Sequence, residues 1–142
     1  MPEARGAGHH TRAKLWWDSD MGSMLIEIVV DCHDPKRVAE FWAEVLGWPL
    51  TDTEKGFYWL SSTGDYTSPP MLVFVPVDEP KTAKNRVHID VCPSGCDQPE
   101  ELERLLGLGA RRVDVGQGDS PWVVLADPEG NEFCLLGRRV DP

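Results

Sequence analysis

Two stretches of this 142-residue chain read in the same order, strand, helix, then three strands. A regular internal repeat constrains a fold more than any single propensity does. In the first copy, Leu25–Asp31 (LIEIVVD) reads as a strand. Ile26, Ile28 and Val30 face one way, and Leu25, Glu27, Val29 and Asp31 face the other. Asp34-Pro35 then opens a helix, with Asp34 as N-cap and Pro35 at the first helical position. Val38, Ala39, Phe41, Trp42, Val45 and Leu46 recur at helical spacing, and Gly47 ends the run. Trp48–Asp52, Gly56–Ser61 and Pro70–Val75 read as three strands, joined by turns containing Glu54-Lys55-Gly56 and Gly64-Asp65.

The second copy begins with a strand over Arg86–Cys92 (RVHIDVC). A helix follows over Asp97–Leu106, with Asp97 as N-cap and Gln98, Glu100 and Glu101 in its first turn. Leu102, Leu105 and Leu106 form its apolar stripe, and Gly107-Leu108-Gly109 ends it. Ala110–Val115, Trp122–Ala126 and Asn131–Leu136 complete the repeat. The last two strands form a hairpin. Asp127-Pro128-Glu129-Gly130 puts Pro where a type I turn fixes φ, and Gly where the chain needs φ > 0. Past that turn, Glu132, Cys134 and Leu136 share one face, and Asn131, Phe133 and Leu135 the other.

This gives an α+β domain over 24–139: one βαβββ module at 24–77, a charged, proline-containing linker at 78–85, and a second module at 86–139. Residues 1–23 are polar and without periodicity, and are expected to form a flexible arm. The adjacent indoles of Trp16-Trp17 could dock on the domain or on a partner.

Charge excludes some partners. The net charge is −10, against both nucleic acid and anionic membrane, which call for basic patches. No apolar run approaches the roughly 18 residues of a membrane span, and no apolar segment near Met1 resembles a secretory leader. Cys32, Cys92, Cys96 and Cys134 are read as reduced thiols, which together with the missing leader predicts a cytoplasmic protein.

Three polar side chains stand out on otherwise apolar strands. Glu27, His88 and Glu132 lie opposite Ile26/Ile28, Val87/Ile89 and Phe133/Leu135. Two carboxylates and an imidazole on one concave face must be paired, solvated or bound to a metal. Equally, each strand could simply have one wet face, as the alternation of Arg86, His88 and Asp90 suggests. Cys92-Pro-Ser-Gly-Cys96 reads as a strand end and loop, since zinc sites usually want two thiol pairs at tighter spacing. Lys84-Asn85-Arg86 is either solvated linker charge or a patch that steers an anion. Trp42, Trp48, Trp59 and Trp122 read as packing residues, one or two of which could floor an aromatic pocket. The Asp127–Gly130 run is explained by turn chemistry alone, and no Ser-His-Asp or Cys-His nucleophile set is present.

DPKRVAEFWAEVLGW in the first module, and KNRVHIDV, LGAR and WVVLADPEGNEFCLL in the second, resemble the vicinal oxygen chelate superfamily and its glyoxalase-like branch. The resemblance covers roughly Leu25–Arg138. It implies that each module curls into a half-barrel, that the two form a cup for a divalent metal or a small organic ligand, and that the protein is a homodimer. It also implies metal ligands on the first and last strands of each module. Those positions are Glu27, Val75, His88 and Glu132, of which Val75 has no donor atom. Glu27, His88 and Glu132 could hold Zn²⁺, Ni²⁺, Mn²⁺ or Fe²⁺, with Glu27 or Glu132 as ligand or displaced general base. Two functions follow from the resemblance. One is a metal-dependent lyase, isomerase or dioxygenase. The other is a metal-free protein that sequesters a small molecule, as bleomycin-resistance proteins do.

Overall fold

A computed structural model describes residues 22–142, so residues 1–21 of the arm, Trp16-Trp17 among them, lie outside the described residues. The first module contains β1 (Glu27–Cys32), α1 (Pro35–Leu46), β2 (Leu50–Asp52), β3 (Tyr58–Leu60) and β4 (Met71–Pro76). The second contains β5 (Asp90–Val91), α2 (Gln98–Leu108), β6 (Arg111–Arg112), β7 (Val123–Ala126) and β8 (Glu132–Leu135). Each module makes a four-stranded mixed sheet of the same topology, β1-β4-β3-β2 and β5-β8-β7-β6. In each, the first strand pairs parallel with the last and the other two run antiparallel. The fold is therefore the α+β pair of curved βαβββ modules read from the repeat.

Local chemistry sets the helix ends. The Asp34 carboxylate accepts from the Arg37 N–H, and Gly47, at φ 65°, closes α1 in the left-handed conformation. The cap contributes about 1 kcal/mol. Asp97 caps α2 without a side-chain bond, and α2 runs through Gly107 to Leu108 before Gly109 turns it off. Most strands are shorter than their sequence spans, β5 and β6 the most so. The run 86–92 yields only Asp90–Val91, and just before it the Asn85 N–H bonds the Glu132 side chain. The run 110–115 yields only Arg111–Arg112.

The period of two sorts the side chains as expected. Phe74, Leu125, Phe133 and Leu135 face the helices and join Val38, Phe41, Trp42 and Leu105 in the core. The modules meet inside this core: Phe133 of β8 packs edge-on against Phe41 and Trp42 of α1, with centroids at 6.0 and 4.9 Å. Such pairs contribute about 0.5–1.5 kcal/mol beyond their buried area.

Polar contacts lock the same junction. The buried Asp127 carboxylate accepts from Trp42 Nε1 at 3.1 Å, from the Glu129 and Asn131 N–H groups at 2.9 Å, and from Asn131 Nδ2 at 3.0 Å. Glu129 reaches the other module and accepts from the His33 and Asp34 N–H groups at 2.6 and 2.7 Å. The DPEG turn thus does more than reverse the chain. It ties the second module to the first turn of α1. On the opposite side, Arg104 of α2 is held by Glu101 and donates to the Glu44 and Val45 carbonyls at 3.1 Å. Those carbonyls belong to the end of α1, which has no later turn to satisfy them.

Candidate functional site

The faces turned away from the helices decide where a ligand can sit. On the first module this face carries Glu27, Val29 and Asp31 of β1 against Met71, Val73 and Val75 of β4. Trp59 pairs across from Val73, and its ring meets Tyr66 edge-on at 5.1 Å. The Tyr66 hydroxyl donates to Glu27 Oε2 at 3.3 Å. The Glu27 carboxylate pushes the Tyr66 hydroxyl above its usual range, and burial adds to the shift. Met71 and Val73 are only 0% and 5% exposed, so the β4 side of this face is filled, whereas Val29 and Asp31 of β1 are exposed and line the junction between the modules.

The second module keeps its face open. A cavity of about 400 Å³ is lined by Val115, Trp122, Val124 and Leu136 on its apolar side. Lys84, His88, Asp90, Gln117, Glu132 and Cys134 supply the polar side. A second cavity, of about 340 Å³, lies at the module junction between β1 and residues 85–89, and His88 and Glu132 line it as well. His88 and Glu132 therefore share a wall, whereas Glu27 lines neither cavity.

Each polar group has its own surroundings. Glu132 Oε1 accepts from Lys81 Nζ at 3.0 Å, and Oε2 accepts from the Asn85 N–H at 2.9 Å. Burial pushes this carboxyl up, but the Asn85 N–H and the Lys81 ammonium more than offset that and hold it below its usual range. Lys81 also donates to the Ala83 carbonyl, so Glu132 fastens the linker to β8. His88 Nδ1 lies 3.4 Å from Asp90 Oδ1, with both side chains nearly half exposed.

Parallel pairing of β5 with β8 sets Asp90 directly beside Cys134. His88, Asp90 and Cys134 each offer a ligand atom, and these atoms lie within 4.8 Å of one another. Among the described residues this is the group of His, Cys, Asp and Glu that could hold a metal ion. Burial pushes the Cys134 thiol up, and the Asp90 carboxylate beside it pushes further. Sequence reading singled out His88 but not Asp90 or Cys134. The alternation of His88 with Asp90, and of Glu132 with Cys134, carried the signal.

The remaining thiols are structural or peripheral. Cys32 is buried in the core, and burial, with Glu129 and other nearby carboxylates, pushes it up to about 12. Cys92 and Cys96 are free and partly buried. Trp42 is core, Trp48 packs against it, and Trp122 is 41% exposed in the cavity wall. Among the described residues, no helix is long and apolar enough to cross a membrane.

Residues 27–136 match the family described as Glyoxalase-like domain. No curated protein sequence matches the chain. Several solved structures share the fold at low identity. A Bacillus cereus protein described as a possible glyoxalase superposes with a TM-score of 0.59 at 13% identity, covering 81% of this chain and 99% of that one. The fosfomycin resistance protein FosX of Listeria monocytogenes, solved as a point mutant with Mn(II) and 1S,2S-dihydroxypropylphosphonic acid, gives 0.57 at 13%, covering 82% and 90%. The trypanothione-dependent glyoxalase I of Leishmania major gives 0.55 at 15%, covering 82% and 87%.

Proposed function

We propose, from the premise that this chain belongs to the glyoxalase-like domain family, that it binds a small organic molecule on the open face of its second module. The observation that carries this reading is the contrast within one cavity. Trp122, Val124 and Leu136 offer an apolar wall, and His88 and Asp90 offer half-exposed polar atoms 3.4 Å apart, beside the Cys134 thiol. A site of this kind packs the body of a ligand and orients it through a few polar groups.

The family resemblance implies a divalent metal on Glu27, His88 and Glu132, and that donor set does not fit. Val75 has no donor, both Glu132 oxygens are engaged by Lys81 and Asn85, and Glu27 accepts from Tyr66 outside both cavities. Glu132, tied to Lys81 and the Asn85 N–H, anchors the linker to β8 in this reading. These points favour a protein that holds or sequesters its ligand. A metal-dependent lyase, isomerase or dioxygenase using Zn²⁺, Ni²⁺, Mn²⁺ or Fe²⁺ is the second reading, favoured by the convergence of His88, Asp90 and Cys134.

The homodimer belongs to the same proposal. Strand β1 is a sheet edge, and Ile26, Val29 and Val87 near it are 46%, 50% and 79% exposed. Light scattering tests this, and a monomer at micromolar concentration would overturn it. For the cup itself, the test is a library of small aromatic and carboxylate compounds screened by melting temperature. Hits are expected to raise Tm in the native chain and to lose most of that shift in Trp122→Ala. Hits that shift both proteins alike would sink the assignment.

A further inference from the structure

Strands β5 and β8 set two pairs of polar groups side by side. Glu132 is closed by Lys81 and the Asn85 N–H, while Asp90 and the buried Cys134 lie side by side one pleat further along, in the cavity wall. His88 joins this pair through Nδ1, at 3.4 Å from Asp90 Oδ1. We propose that the second module binds one thiophilic divalent cation of the Zn²⁺ type, held by His88 Nδ1, an Asp90 carboxylate oxygen and Cys134 Sγ. This deepens the reading of that face as the functional cup and rests on it.

The chemistry follows from the donors. An imidazole nitrogen, one carboxylate oxygen and one thiolate form a mixed set that suits Zn²⁺ or Co²⁺. An all-oxygen preference, as for Mg²⁺ or Ca²⁺, is disfavoured by the sulfur. On binding, the metal–sulfur bond forms as the Cys134 S–H bond breaks, and the proton leaves to solvent. The cation takes over the role of that proton beside Asp90. Three protein donors would leave the ion room for one further ligand from the cavity that His88, Asp90 and Cys134 line. A small-molecule oxygen or a water would occupy it.

Register holds the set in place. Asp90 and Cys134 are direct partners in the parallel ladder, and the Cys134 N–H donates to the Ile89 carbonyl at 2.9 Å. Cys134 is 7% exposed and sits in the sheet, while His88 and Asp90, at about half exposure, have room to close on an ion. The other thiols stand apart from this group: Cys32 is in the core, and Cys92 and Cys96 do not converge with it.

The experiment is titration of the untagged, reduced full chain with Co²⁺, read by absorption. A thiolate-to-cobalt charge-transfer band reports sulfur ligation, which no histidine or carboxylate can mimic. We expect one equivalent of Co²⁺ to raise this band and Zn²⁺ to bleach it. Cys134→Ser should abolish the band, Cys92→Ser should leave it intact, and His88→Ala should weaken Co²⁺ binding at least tenfold. His88 is exposed, so that variant tests the site even if Cys134→Ser folds poorly. A chain that gives no band, a band that survives Cys134→Ser, or one lost in Cys92→Ser would overturn the proposal. If the band is missing while the compound screen still gives Trp122-dependent shifts, the metal proposal alone has failed. If neither appears, the cup reading has failed with it.

Discussion

The two modules share a topology but use their concave faces differently. In the first, Trp59, Tyr66, Met71 and Val73 fill the side of the face built by β3 and β4, and Glu27 is engaged by Tyr66. In the second, strands β5 and β6 have two residues each, and the segment 114–121 loops away, which leaves a cavity behind Trp122. Strand pairing explains the contrast. Strand β1 pairs with β4 over six positions, whereas β5 pairs with β8 over only two. A sheet that pairs along its whole length gives packing, and one that pairs briefly leaves polar side chains free to meet a ligand. A duplicated fold can thus divide labour without changing its order of elements.

The sharpest way to break the comparison is to break the junction that both modules need. Asp127 is fully buried and satisfies Trp42 Nε1, two backbone N–H groups and Asn131. Asp127→Ala leaves these donors unpaired, and should cost about 3–5 kcal/mol. Urea unfolding would show this as a large drop in midpoint. A loss under about 1 kcal/mol would mean that the Asp127 carboxylate does not carry the junction.

A pair of tryptophans sharpens the division itself. Trp59→Ala on the filled face should destabilise by about 2 kcal/mol, since a half-buried indole loses packing against Tyr66 and Val73. Trp122→Ala, at a 41% exposed wall, should cost under about 1 kcal/mol yet remove most ligand-induced stabilisation. Equal stability losses from the two would erase the proposed distinction.

Much of this was legible in the sequence. The repeat gave both modules, Asp34 and Gly47 bounded α1, and the period of two placed Phe133 and Leu135 inside and Glu132 and Cys134 on the other face. What sequence could not supply was contact across modules. Glu129 meets His33 at a separation of 96 residues, and Trp42 meets Asp127 at 85. Nothing local to the DPEG turn announces either contact. The lateral partner of Asp90 was hidden for the same reason, because parallel register is set by the crossover through α2 and not by neighbouring residues. Likewise, Glu132 reads as a candidate metal ligand or base, because in sequence the linker's Lys81, 51 residues away, has no visible tie to it.

That ion pair gives a smaller, pH-dependent test. The folded Glu132 carboxyl is depressed, so its contribution is full above the unfolded value of about 4.3 and is lost as pH falls through the folded value. Lys81→Met should therefore reduce stability by about 1 kcal/mol at pH 7, with the gap to the native chain closing as pH falls through the depressed folded value. Urea midpoints at about pH 7, 5 and 3.5 would trace it. A gap that persists unchanged into acid would show that Lys81 acts through its aliphatic stem and not through Glu132.

The smallest effect is expected at Glu27, and it is the most pointed for the comparison. Its carboxylate accepts one long hydrogen bond, 3.3 Å from the Tyr66 hydroxyl, and it lines neither cavity. Glu27→Gln keeps an acceptor there, and should change stability by less than about 0.5 kcal/mol. Compound-induced Tm shifts and the cobalt band should be unchanged too. A loss of either would join the first module's face to the second's as one shared cup. The separation of packing face from ligand face, on which the reading of the second module depends, would then no longer hold.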